Sequence, residues 1–285
     1  MNSMDQKEIK ALISLLDDED YDVAAHVEQK IISLGEDVIP FLEQEWEANL
    51  NPDVQKKIED LIHNLQYGAL LHRLIQWKEE GAKDLLEGMW LINSYQYPDV
   101  DLSSIVKTIE QIYYEAWVNV RPDMHPFDQI KAINHVLFKT YRFSANTKNF
   151  HSPANSMLNL VLESKKGNPL TLCVIYMIIA QKLELPVYGV NLPNLFILTF
   201  KQGDLQFYIN VYNRGLILSK SDIDNYILQL NLNPIDLFYE PCSNLDIVQR
   251  ALRNLVMSFE KMDEAEKAAE VTRLLDAITD TKPEV

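Results

Sequence analysis

The chain has 285 residues, of which 47% are hydrophobic and 24% charged, the balance of a soluble globular protein with room for one large or two to three small domains. A formal charge of −16 disfavours nucleic acid and anionic membrane surfaces as partners, because both are polyanions. The polar, acidic start does not resemble a signal peptide, no apolar run is long enough to span a bilayer, and two cysteines, Cys173 and Cys242, suit a reducing cytoplasm better than a disulfide scaffold.

Residues 1–80 read as helix throughout. Ile9, Leu12, Ile13, Leu15 and Leu16 repeat at helical spacing, and Val23, Val27, Ile31 and Ile32 continue the pattern up to a stop at Gly35. Val38, Ile39, Phe41, Leu42 and Trp46 predict the next helix, with Pro40 tolerable in its first turn. Asn51-Pro52-Asp53 then opens another helix, carrying Val54, Ile58, Leu61 and Leu65. These form helix–turn–helix units of about 35 to 40 residues, none able to bury its apolar face alone, so they should stack. The acidic stretch from Asp17 to Asp22 invites a calcium loop. Counting from Asp18, however, the positions that need glycine and a bidentate glutamate hold Val23 and Gln29, so a capping turn is expected instead.

Three further helices are expected between residues 82 and 142, around Leu85–Ile92, Leu102–Val118 and Phe127–Tyr141. An apolar helix follows, with Cys173 at its start. The period then changes. Val187–Val190, Leu195–Phe200 and Leu205–Asn210 are β-branched and aromatic runs, the last two joined by a Lys201–Asp204 turn, with a short strand after Gly215. Residues 245–278 return to a helical hairpin. Helices flanking one small antiparallel sheet make a mostly helical α+β fold.

A cysteine nucleophile works best at a helix N-terminus, where the dipole and free N–H groups lower its pKa. A histidine on the next strand takes the proton, and Asp or Asn on the following strand orients the ring. Cys173, in the apolar helix, and the two strands after it follow that order. The segment resembles the transglutaminase-like core of a bacterial family that includes the SirB-type regulators. Asn155-Ser156 with Leu158-Asn159 and Val161-Leu162 matches one family stretch, and Gly167-Asn168-Pro169-Leu170-Thr171-Leu172 another. Tyr97-Pro98-Asp99, Leu137-Phe138 with Phe143 and Asn146, and Arg253-Asn254-Leu255 match further elements, so the resemblance covers roughly 85–275. It implies a papain/transglutaminase-like core over 81–240 with its helical lead-in, while the helical units over 1–80 themselves resemble HEAT-like repeats and the hairpin within 241–285 resembles a single tetratricopeptide-type unit.

The departures from the family pattern bear on function. Where the resemblance implies a histidine base the chain has Leu195, and where it implies an aspartate orienter it has Asn210. Leucine cannot accept a proton, whereas asparagine can still orient an imidazole. His151 is the nearest substitute base in the family frame. Cys173 has two possible roles: nucleophile, or small buried hydrophobe among Leu172, Val174 and Ile175. Asn155 and Ser156 are expected to cap the helix that follows them. Around the old cleft, Asn155, Ser156, Pro169, Thr171 and Asn194 are the expected binding residues. No cofactor or metal is implied. The resemblance therefore suggests a degenerate transglutaminase-like module that binds a protein or peptide. The alternative is a peptidase or transamidase that uses Cys173 with a non-standard base, and a purely structural role is a third possibility.

Overall fold

A computed structural model describes residues 6–16 and 20–279. The chain divides into two compact units, 1–73 and 74–285. In the first, α1 (Gln6–Ser14), α2 (Tyr21–Ile32), α3 (Ile39–Ala48) and the first part of α4 (Pro52–Glu79) close on a core that includes Ile13, Leu16, Ile31, Leu42 and Ile58. Local chemistry sets the ends of these helices. Asp20 accepts from Asp22 N at 3.0 Å to cap α2, Pro40 lies in the first turn of α3, and Asn51 accepts from Asp53 N at 3.0 Å at the start of α4. Of the acidic stretch, Asp17, Asp18 and Glu19 lie outside the described residues.

The second unit contains α5 (Leu85–Ser94), α6 (Leu102–Asn119), α7 (Pro126–His135), α8 (Leu158–Ser164), α9 (Pro169–Lys182), α10 (Lys220–Gln229), α11 (Asn244–Lys261) and α12 (Ala265–Ile278). Strands β3 (Val187–Leu192), β4 (Leu195–Gln202), β5 (Leu205–Asn210) and β6 (Leu216–Leu218) form an antiparallel sheet in sequence order. The fold is α+β and mostly helical, as the periodicities imply. A two-residue parallel pair, β1 (Ser144–Ala145) with β2 (Lys166–Gly167), has no signal in the sequence, being too short to show a period.

Helix α9 organises this unit. Every residue from Leu170 to Ala180 is buried, so the helix is apolar all round rather than amphipathic. It packs on β3 and β4, and its other sides meet α5, α6, α8 and α11. The far face of the sheet carries its own cluster, with Val190, Leu192, Ile197 and Tyr208 packed against Ile223 and Ile227 of α10. The C-terminal hairpin α11–α12 packs on α5 through α11 and so belongs to the same compact unit.

At the β5–β6 connection, Gly215 has a left-handed φ of 74°, and its carbonyl accepts from Asn134 Nδ2 of α7 at 2.9 Å. An added Cβ would come within 2.0 Å of Asn134 Oδ1. Gly203 in the β4–β5 turn also has a left-handed φ, of 58°, but with open space around it. Gly203→Ala should therefore cost only the backbone strain, about 1 kcal/mol, and Gly215→Ala about 1 to 3 kcal/mol more. Urea midpoints measured side by side check this, and equal losses would mean that the α7–β6 contact adds nothing.

Candidate functional site

The N-terminus of α9 opens into a cleft of about 100 Å³. Asn168, Pro169 and Leu170 form its floor, Asn194 and Phe196 enter from the β3–β4 turn and β4, and Phe150 and His151 come from the loop before α8. Helix α11 supplies the remaining wall through Arg250, Asn254, Met257 and Ser258. Larger hollows exist, including one of about 460 Å³ at the other end of α9, beside Trp117 and Met124. None of those gathers the motif residues as this cleft does.

A relay of amides builds the cleft. Asn146 Nδ2 donates to Asn155 Oδ1 at 2.8 Å, and Asn155 Nδ2 donates to the carbonyls of Asn149 and Phe150 at 2.7 and 3.0 Å. This clamps the loop that presents Phe150 and His151. Ser156 Oγ accepts from Asn168 Nδ2 at 3.0 Å, and Asn168 Oδ1 accepts from Thr171 N at 2.9 Å, capping α9. Asn155 and Ser156 are thus buried frame residues. Neither caps α8, contrary to expectation. Asn93 of α5 takes that role, accepting from Asn159 N at 3.1 Å.

The cap at Asn168 and Pro169 in the first turn start α9 ahead of Cys173, which lies in the helix's second turn rather than at its N-terminus. Its thiol is fully buried and donates to Phe196 O at 3.5 Å. Burial pushes the Cys173 thiol far above its ordinary range; a backbone hydrogen bond from Val211 opposes this, and the nearby Cys242 adds to it. Cys242 is itself pushed up to about 12, by burial first and then by the Asp246 carboxylate. Burial therefore disfavours the thiolate form of both cysteines.

The other expected residues take different places. Leu195 packs with the far-face cluster of Ile197, Tyr208 and Ile223. Asn210 Oδ1 accepts from Asn213 N at 3.1 Å, starting a short 3-10 turn rather than meeting an imidazole. Thr171 is buried at 1% exposure and is absent from the cleft lining. Pro169, Asn194 and exposed His151 do line the cleft. Asn194 has φ 58°, which asparagine tolerates, and Tyr226 Oη fixes this turn by donating to Pro193 O at 2.8 Å.

Sequence reasoning missed Phe150, Arg250 and Met257 as lining residues. One signal was present: the Arg253-Asn254-Leu255 motif puts Asn254 into the cleft, and Arg250 lies one helical turn before it. The Arg250 guanidinium donates to Asn191 Oδ1 and, at 3.4 Å, to Leu192 O. Burial, and then the like charge of Arg253, pull it below its ordinary pKa. Among the described residues no group of three or more His, Cys, Asp or Glu could hold a metal ion.

With this geometry in hand, the likeness to known proteins is specific. Residues 103–253 match the family described as the transglutaminase-like superfamily, and the chain belongs to it. A UPF0162 protein of Xylella fastidiosa is 27% identical over 217 residues, covering 70% of this chain and 73% of that protein. A UPF0162 protein of Vibrio cholerae is 22% identical over 148 residues, 52% of this chain and 54% of its own. Human F-box only protein 21 is 24% identical over 227 residues, which is 66% of this chain but 36% of that protein. No solved structure matches.

The thiol environment predicts a pH effect. An unfolded thiol ionises near pH 8.5, whereas folded Cys173 keeps its proton well beyond that. Above about pH 8.5 the unfolded state therefore sheds a proton that the native state retains, and stability falls by up to about 1.4 kcal/mol per pH unit until the folded thiol ionises. Urea unfolding from about pH 7 to about pH 10 should decline more steeply for the wild type than for Cys173→Ala. Parallel declines would mean that Cys173 ionises as readily folded as unfolded.

Proposed function

We propose that this transglutaminase-like chain is a binding or regulatory module of the cytoplasm, whose cleft receives an extended protein or peptide segment without thiol chemistry. The observation that carries this is the placement of Cys173. Acyl transfer to a thiol needs an exposed thiolate with a base beside it. Here the thiol is buried and donates to Phe196 O, and the expected base position is Leu195, packed into the cluster on the far face of the sheet. The cleft walls offer what an extended segment needs instead, with aromatic surface from Phe150 and Phe196 and side-chain amides from Asn194 and Asn254. The motif resemblance to SirB-type regulators read from the sequence fits this role. So does the human F-box protein, where the matched segment is part of a much longer chain.

The alternative is a cysteine-dependent peptidase or transamidase using Cys173 with His151. What favours it is that His151 shares the cleft with Phe196, whose carbonyl Cys173 contacts. That enzyme would need α9 to shift so that the thiol reaches the cleft.

Incubating the full chain with a mixed peptide library and a primary amine, followed by mass spectrometry, separates the two. The expected result is retention of some peptides with no new cleavage or amide product, unchanged in Cys173→Ala. Turnover that disappears in Cys173→Ala would overturn the module and establish the enzyme.

A further inference from the structure

Building on the binding role proposed above, we infer that the cleft is specific for a carboxylate group, held by the Arg250 guanidinium. Arg250 is half-buried in the cleft wall, and its two hydrogen-bond partners, Asn191 Oδ1 and Leu192 O, are both neutral. No carboxylate lies within ion-pair distance of it among the described residues, and the largest charge effect on it is the like charge of Arg253. In a chain with 42 acidic against 26 basic residues, Arg73, Arg121 and Arg273 each have a carboxylate partner, and Arg142, Arg214 and Arg253, which have none among the described residues, are exposed, whereas Arg250 is not.

Taking a cation out of water without a counter-charge is costly, and such groups are ordinarily paired. A guanidinium forms a planar fork that matches a carboxylate with two parallel hydrogen bonds. The rest of the lining suits an anion as well. It contains no acidic side chain and offers the amides of Asn194 and Asn254 beside Arg250. A volume of about 100 Å³ admits a carboxylate with a carbon or two behind it. Phe150, Phe196 and Met257 would then cover the apolar part of the ligand. A polypeptide supplies such a group either at its C-terminus or on an Asp or Glu side chain, and the cleft chemistry is shared by both.

The test follows the Arg250 Nε–H resonance of the full-length chain by NMR. N-acetylglycinate should shift it in a saturable way, and N-acetylglycinamide, the same molecule without the charge, should not. Arg250→Gln should weaken N-acetylglycinate binding at least tenfold, with Arg250→Lys in between because it keeps the charge and loses the fork. The acid–amide comparison needs no variant, so it holds even if Arg250→Gln folds poorly. Equal shifts from acid and amide, or a shift from neither, would overturn the inference. Two short peptides then assign the source, one with a free C-terminus and neutral side chains, the other amidated with a single internal Glu. Binding of either supports a carboxylate site. If an uncharged, amidated peptide occupies the cleft as tightly as the acids, the carboxylate inference fails while the binding module stands. If no probe or peptide perturbs the cleft, both fail.

Discussion

The second unit depends on one constraint: α9 is buried on every side, and its polar ends must still be satisfied. A helix apolar all round has no solvent face, so neighbours must enclose it, and the sheet, α5, α6, α8 and α11 do so. At its N-terminus the free N–H groups cannot rely on water alone. Asn168 answers that need, and Ser156 holds Asn168 in the capping rotamer. The cleft is what remains where the enclosing elements meet around this capped end. Its position follows from the packing of α9, and its chemistry from whichever side chains the neighbours present there.

Much of the fold was legible in the sequence because the periods are clean. The switch from helical spacing to alternating β-branched and aromatic runs after residue 185 marks β3 to β5 within a residue or two. Pro40, Asn51 and Gly35 mark helix ends through backbone chemistry that needs no tertiary context. The parallel β1–β2 pair was not legible, since a bridge of two residues is fixed by the packing around it.

The site was less legible than the fold. Asn155 and Ser156 read as a helix cap and as cleft-binding residues, yet with motif positions Asn146 and Asn168 they spend their hydrogen bonds on one another and on the backbone. Sequence order placed Cys173 near a helix start, but which way it points depends on where the helix begins, and the cap moves that start upstream. Arg250 gave no signal of its own. A lone arginine on an amphipathic helix is ordinarily a solvated surface group, and only the tertiary arrangement reveals that its partners are neutral.

The cap that Asn93 provides to α8 reaches across 66 residues of chain. Helix α8 has only seven residues, too few to persist alone in water. Its nucleation therefore has to wait for a non-local contact, and closing so long a loop is entropically slow. The segment that carries Phe150, His151, Asn155 and Ser156 runs directly into this helix. On that account α8, and with it the end of the loop that shapes the cleft, is stable only while α5 and α8 stay in contact.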